Sequence, residues 1–383
     1  MRLLFVTQDF PPDRGGIQTY SWAMAQRLAR RTEALEVIAP RHPEAASVDS
    51  QASFPITRLP GRPPLLPFSL LPLLPFRARS LKADVAFHAQ WQTVGASVLS
   101  RAVFGWPYRI VCAAHGRELL LNPAPPASGL DTEYDRLRQF LLQQVDTFLP
   151  VSQYTADLLR DRAIPDHRIH VVPNGTDPER FQPRDGTSLR RHFGLSDRPL
   201  LFTASRLVPR KGIDTVLRGL PTIADQCPEV AYMVAGTGPD RDRLEALAKD
   251  LGIRDRVQFV GDVDRNRLPL FYSAADLFVM PAREDPPDVE GFGLVFLEAN
   301  ACGTPVLGTR TGGIPDAIQD GETGLLVPPN APHAVAAAAI RVLTDPDRAA
   351  TLGRQGRRRV VDEARWNHAA DRVHTLLAHE TAN

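Results

Sequence analysis

Two glutamates eight positions apart, Glu290 and Glu298, frame the segment Glu290-Gly-Phe-Gly-Leu-Val-Phe-Leu-Glu298. Glu290 precedes Gly291 and Gly293 and therefore lies on a loop, whereas Leu294 to Ala301 reads as a short helix that contains Glu298. Glycines at a helix start let backbone N–H groups approach an anion closely, and the first N–H groups of a helix have no partner within it. Carboxylates accept hydrogen bonds from hydroxyls. One carboxylate on the loop and one a turn into the helix would then flank a phosphate and read the sugars attached to it, as a nucleoside-diphosphate sugar requires. By themselves the two glutamates also read as a solvated pair and a cap, so the neighbouring segments have to decide.

Three further segments offer matching chemistry. Ala204-Ser-Arg206-Leu-Val-Pro-Arg210-Lys211-Gly212 follows an apolar strand-like run. Arg206 can chelate a phosphate with two N–H groups and Lys211 adds a compact charge. Phe10-Pro-Pro-Asp-Arg-Gly15-Gly16-Ile-Gln-Thr-Tyr20 follows the first such run and opens a helix, with Gly15 and Gly16 placed for close backbone approach to an anion. His115, in Ala114-His115-Gly116-Arg117-Glu118, stands at a strand end, where side chains of an open α/β sheet meet ligands. Neither a dinucleotide Gly-x-Gly-x-x-Gly nor a P-loop Gly-x-x-x-x-Gly-Lys-Ser/Thr is present. Asp262-Val-Asp264 has the spacing of a metal-binding acidic pair but reads as loop surface, and no metal is expected.

Those segments need strands to hold them. Short continuous apolar runs, the pattern of strands buried on both faces, alternate with helix-patterned stretches, which predicts α/β architecture with parallel sheets. The first series is Leu3–Thr7, Leu35–Ala39, Asp84–His88, Arg109–Ala114, Thr147–Pro150 and Ile169–Val172; the second is Leu200–Ala204, Ala231–Ala235, Val257–Val260, Leu277–Met280, Pro305–Leu307 and Gly324–Val327. With 383 residues, about two domains of roughly 100–200 residues are expected. The turn-rich Pro173-Asn-Gly175 places the boundary, so that residues 1–175 form the first domain and residues 176–364 the second. The stretch from Asp347 to His379 reads as a long helix, and its end, from about residue 365 to 383, is expected to pack back on the first domain.

Bulk properties exclude other classes. A formal charge of +1 gives no reason to expect nucleic acid. Cys112, Cys227 and Cys302 have no metal-ligand spacing, and an odd, sparse set suits a reducing compartment. The opening apolar run is too short for a signal peptide, and no stretch reaches the ~20 apolar residues of a membrane span. The segment from Gln51 to Ala83 is unusual. It carries Arg58, Arg62, Arg77, Arg79 and Lys82, no glutamate and no aspartate before Asp84, and the run Pro63-Pro-Leu-Leu-Pro-Phe-Ser-Leu-Leu-Pro-Leu-Leu-Pro-Phe76. Repeated prolines argue against a regular helix there. The segment reads either as a proline-stiffened loop or as a basic, apolar surface, Arg58 to Lys82, that touches an anionic membrane.

Taken together, these segments, with Ala299-Asn-Ala-Cys-Gly-Thr-Pro-Val306, Thr311-Gly-Gly313 and Asp320-Gly-Glu-Thr-Gly324, resemble the family 4 glycosyltransferases of the GT-B fold over nearly the whole chain. Phe10-Pro-Pro, Gly15-Gly-Ile-Gln18 and His115-Gly116 look like the phosphatidylinositol mannosyltransferase branch. The resemblance implies two Rossmann-like domains with parallel sheets facing across a cleft, and a retaining, metal-independent hexosyl transfer without a cofactor. In that reading Arg206 and Lys211 bind the donor diphosphate, as do Gly15 and Gly16 from the first domain. Glu290 contacts the transferred sugar, the backbone of Phe292, Gly293 and Leu294 its hydroxyls and phosphate, and Glu298 the ribose hydroxyls. His115 lies against the sugar and stabilises charge, and the base sits near Gly261 to Val263. GDP-mannose is the favoured donor, with UDP-glucose or UDP-N-acetylglucosamine as alternatives. The acceptor is a hydroxyl, on a lipid-linked compound or glycan, shaped by Arg117 to Pro123 and the basic segment. That places the protein in the cytoplasm, at the inner membrane face. A reading from another class is a nucleotide-sugar binder without turnover.

Overall fold

Apolar runs such as Arg2-Leu-Leu-Phe-Val6 and Leu200-Leu-Phe-Thr-Ala204 have no polar face to turn to water, so both faces of each sheet must be covered. In the computed structural model, which describes residues 1–60, 66–121 and 130–381, such runs build two separate six-stranded parallel sheets. The chain divides into two units, one formed by Met1–Asn174 and the segment from Trp366 onward, the other by Gly175–Arg365.

In unit 1 the strands are β1 (Arg2–Val6), β2 (Ala34–Pro40), β3 (Ile56–Leu59), β4 (Val85–His88), β5 (Arg109–Ala114) and β6 (Thr147–Pro150), in the order β3-β2-β1-β4-β5-β6. Unit 2 repeats the plan with β7 (Leu200–Ala204), β8 (Ala231–Ala235), β9 (Val257–Gly261), β10 (Leu277–Val279), β11 (Val306–Thr309) and β12 (Gly324–Val327), in the order β12-β11-β10-β7-β8-β9. Each is a doubly wound sheet whose strand order reverses beside its first strand, between β1 and β4 and between β7 and β10. A crevice opens at such a point outside the carboxyl ends of the strands. Each unit has its own core: Leu4, Val6, Ile110 and Phe148 are buried in the first, and Leu201, Val234, Leu277 and Leu307 in the second.

Three expectations need correction. Ile169–Val172 is not a strand and contributes only an isolated bridge from Ile169 to Phe148, while β3 occupies a run that carries Thr and Arg in place of continuous apolar residues. The basic segment, where its residues are described, is mostly not a loop. Leu66–Leu81 is a helix with Pro72 and Pro75 inside it. Leu70, Leu74 and Ala78, four residues apart, are fully buried in the unit 1 core, and that burial outweighs two missing N–H groups. Pro72 is exposed, so the backbone carbonyl left without its donor there can turn to water. Arg62 and the start of the proline run, Pro63 to Leu65, lie outside the described residues, as do Asn122 and Pro123. Finally, the closing stretch is two helices. Pro346–Asp362 packs on unit 2, and Trp366–Thr381 packs on the Gly16–Leu28 helix of unit 1, with the Tyr20 and Trp366 rings 6.1 Å apart and an Arg31–Asp371 ion pair of 2.6 Å.

Candidate active site

In unit 2 the loop after β7 and the loop after β10 flank the reversal of strand order, and they bring together residues nearly eighty positions apart. Oε2 of Glu290 accepts from Arg210 at 2.6 Å and from Lys211 at 2.5 Å. All three side chains are largely buried. Burial opposes ionisation of Glu290, yet the charges and hydrogen bonds of Lys211 and Arg210 outweigh it and hold the carboxyl down at about 2. Burial pulls the Lys211 ammonium down, and Arg210 and Arg206 add to that, against the opposing pull of Glu290. Arg206 is exposed and has no ion pair among the described residues. The site therefore holds three cations for one carboxylate, an excess of positive charge suited to a polyanion.

The backbone at this point cannot take another shape. Gly212 ends the Pro209–Lys211 turn at φ 68, and a Cβ there would lie 2.0 Å from the Pro281 carbonyl oxygen. Gly293 caps the Leu294–Ala301 helix at φ 91, ψ 60, so that helix begins with its free N–H groups beside the Glu290 loop. Gly313 donates its N–H to the Glu290 carbonyl at 2.8 Å, and at Gly312, φ 53, a Cβ would lie 2.3 Å from the same oxygen. Phe292 is buried and Leu294 is half-buried at the helix start. Glu298, one turn on, is buried, and its Oε2 accepts from the Tyr272 hydroxyl at 2.9 Å while Oε1 lies 3.6 Å from Arg265. Burial raises the Glu298 pKa, against the lowering effect of Arg265 and the Tyr272 hydrogen bond. Val263 is half-buried on the loop after β9. Asp262 and Asp264 are exposed, and Asp264 caps its own turn by accepting from the Asn266 N–H at 2.8 Å.

Unit 1 carries the other named residues. Gly15 and Gly16 open the Gly16–Leu28 helix, which has no side-chain cap and no acidic residue in its first turn, so its N–H groups are open to an anion. Asp9, after β1, accepts from Gln18 Nε2 at 2.7 Å. His115 follows β5. Its Nε2 donates to the Ala89 carbonyl at 3.1 Å, and its ring meets the Tyr20 ring edge-on with centroids 4.7 Å apart. Burial pulls this imidazole down to about 4, against the smaller raising effect of the Ala89 hydrogen bond. At neutral pH it is uncharged, so any charge it stabilises is met by a ring lone pair and not by a cation. The buried Glu118 carboxylate accepts the His115 N–H at 2.6 Å and the Gly116 N–H at 3.3 Å, which fixes the turn that presents the histidine.

The neutral imidazole has a consequence for stability. An unfolded histidine titrates near 6.5, so between 6.5 and about 4 the unfolded chain takes up a proton that folded His115 refuses. The stability this residue contributes is complete above 6.5 and is lost as the pH falls toward 4. His88, buried between Thr93 and Ser97 with its pKa lowered to about 3 by burial, acts in the same sense. Asp9 and Glu118, raised by burial, act in the opposite sense. Urea midpoints of wild type and His115→Asn, followed from pH 7.5 to 4.5, isolate the term: wild type is expected to lose more stability on acidification than the variant. Parallel profiles would show that His115 is not held neutral.

Sequence reasoning left several site residues without a role. Arg210 was visible beside Lys211, but nothing in the spacing said that it pairs with Glu290. Tyr272 sits among apolar helix residues with no signal at all. Glu118 and Gly312 matter through contacts that only the folded chain creates.

Two doubly wound units, with a cationic crevice and a glycine-capped helix start in the second, define the class as GT-B-fold glycosyltransferases. Family models match along the chain, Glycosyltransferase Family 4 over residues 14–180 and Glycosyl transferases group 1 over residues 187–359. The GDP-mannose-dependent alpha-(1-6)-phosphatidylinositol monomannoside mannosyltransferase of Mycolicibacterium smegmatis is 34% identical over 98% of each chain. A D-inositol 3-phosphate glycosyltransferase of Xylanimonas cellulosilytica is 31% identical over 96% of this chain and 93% of its own. Among solved structures, Anabaena Alr3699/HepE in complex with UDP superposes with a TM-score of 0.82 at 20% identity, over 99% of this chain and 100% of that one. The chain belongs to the family 4 glycosyltransferases.

Proposed function

We propose that this protein is a retaining, metal-independent hexosyltransferase that uses GDP-mannose and a hydroxyl of a lipid-linked acceptor. The observation that carries the reading is the pairing of Glu290 with Arg210 and Lys211 at the sheet crevice, with Arg206 near enough to act on Lys211, beside the helix start at Gly293. GDP-mannose is favoured because the M. smegmatis relative, similar over its full length, is named for that donor.

Unit 2 holds the donor in this reading. Arg206 and Lys211 bind the diphosphate with the N–H groups of Gly293 and Leu294, Glu290 and the Phe292 backbone meet the hexose, Glu298 takes the ribose hydroxyls, and the loop at Val263 lies along the base. Breaking the anomeric C–O bond sends its electron pair to the diphosphate, where fixed positive charge meets it. The acceptor oxygen bonds to the same face of the sugar and its proton passes to the departing phosphate oxygen, so no protein nucleophile is required. Arg206, Lys211 and the helix start take the electrostatic role that a divalent metal would otherwise fill. In unit 1, Gly15, Gly16 and the neutral His115 serve the reacting groups. A panel of GDP-mannose, UDP-glucose and UDP-N-acetylglucosamine, read by released nucleoside diphosphate with and without EDTA, tests the proposal. GDP-mannose turnover that EDTA leaves intact is expected. Turnover restored only by Mg²⁺ or Mn²⁺ would refute metal independence, and binding without turnover on any acceptor would favour a nucleotide-sugar binder.

A lipid acceptor calls for a membrane-facing surface. Among the described residues every exposed large apolar side chain lies on three neighbouring helices of unit 1: Phe68, Leu71 and Phe76 on Leu66–Leu81, Leu99, Val103 and Phe104 on Val94–Phe104, and Leu137 and Phe140 on Leu130–Gln143. Such a concentration marks an interaction surface. The charge rim is smaller than the basic segment suggested. Arg58 is tied to Asp49 and Arg77 to Glu36, which leaves Arg79 and Lys82 exposed. The proposed contact is thus mainly apolar, with an anionic bilayer as occupant. No helix among the described residues is long and apolar enough to cross a membrane. Flotation with anionic vesicles is expected to carry wild-type protein upward and to fail for a Phe68→Ser, Phe76→Ser, Phe104→Ser triple variant. Equal flotation of the two would place the contact elsewhere.

A further inference from the structure

We infer that Glu290 is an exchangeable counter-ion of the phosphate-binding cations, and that this exchange makes the site prefer an intact nucleotide sugar over the free nucleoside diphosphate it leaves behind. The inference rests on the donor site proposed above.

The geometry sets up a competition. A single oxygen of Glu290 takes both Arg210 and Lys211, at 2.6 and 2.5 Å, and the side chains are largely shielded from water. A diphosphate that engages Lys211 must therefore draw it from a carboxylate already in contact with it. Free nucleoside diphosphate offers that carboxylate nothing in return, because phosphates at neutral pH supply acceptors and no donors. A buried carboxylate stripped of a partner is costly. The intact donor carries sugar hydroxyls, which are O–H donors, and the released oxygen of Glu290 can accept from them. Only the complete donor settles both partners of the exchange.

Arg210 is the second component. It is the one cation of the set that can stay on Glu290 while Lys211 turns to phosphate, and the Gly313 N–H holds the Glu290 backbone on the other side. Arg210 is a positioning residue that keeps the carboxylate charged and in reach of the sugar.

Calorimetric titration of GDP and GDP-mannose, with UDP and UDP-glucose alongside, into wild type, Glu290→Gln, Arg210→Met and the double variant tests this. In Glu290→Gln, GDP is expected to bind about tenfold tighter, because the competing charge is gone, while GDP-mannose gains nothing or weakens. The wild-type preference for the sugar-bearing ligand then disappears. Arg210→Met is expected to lower the affinity for GDP-mannose in the wild-type background by about tenfold, and to do much less when residue 290 is already Gln. A gain shared equally by both ligands in Glu290→Gln would overturn the exchange and leave a simple charge effect. Unchanged GDP affinity would overturn it outright. Failure of every nucleoside diphosphate to bind wild-type protein would instead overturn the donor site itself.

Discussion

Arg206→Glu is expected to abolish transfer while leaving the fold intact. This residue stands on the loop after β7, is exposed, and forms no ion pair among the described residues, so its replacement breaks no contact that holds the unit together. In the proposed site it faces the diphosphate, whose negative charge grows as the sugar leaves. Removing one such donor from a catalytic site costs about 3–4 kcal/mol of transition-state stabilisation, and reversing the charge costs more. Turnover should fall by a factor on the order of 10³ or beyond. Melting temperature should move by no more than a surface substitution moves it. The contrast with Lys211 is informative. A Lys211→Glu change would press a second carboxylate against Glu290 in a largely buried pocket, and unfolding would confuse the result. Turnover unchanged in a folded Arg206→Glu protein would remove the diphosphate from this loop.

Gly312→Ala should be nearly as damaging, though in the proposed site the residue touches no ligand. Its φ is 53, and an added Cβ would sit 2.3 Å from the carbonyl oxygen of Glu290. Backbone cannot yield to that contact as a flexible side chain would, so the Glu290 loop has to move. The Gly313 N–H that bonds the same carbonyl would be drawn out of line. A displacement near 1 Å at a reacting centre can cost about 10²-fold in rate. The expected result is a kcat/KM reduced about 10²-fold for the intact donor while nucleoside diphosphate still binds. Steady-state kinetics with calorimetry on the same preparation checks it, and a loss under about threefold would show that Glu290 need not be held so closely.

Much of this is legible in the amino-acid sequence. Continuous apolar runs marked eleven of the twelve strands to within two residues at either end, because strands of a parallel sheet are buried on both faces and leave a signal that needs no partner to interpret. β10 was placed one residue long and β3 was missed, since Ile56-Thr-Arg-Leu59 lies at the sheet edge, where polar side chains are tolerated. The Leu66–Leu81 helix defeated a local rule. Proline penalises a helix by removing an N–H, but the penalty is fixed, whereas burial of Leu70, Leu74 and Ala78 is set by what packs over them.

The sequence by itself determined the α/β class, the family, and the residue types of the candidate site. Strand burial and glycine conformation are local properties, and Arg206, Lys211, Glu290 and Glu298 stand in segments whose pattern is readable in one dimension. Tertiary structure alone decided who neutralises whom. That Glu290 rests on Arg210 and Lys211, that Tyr272 holds Glu298, that Arg58 is tied to Asp49 and leaves the surface mainly apolar, and that His115 is neutral are all outcomes of contacts between distant segments. Charge and hydrogen bonding act through distance and burial, and the folded chain sets both.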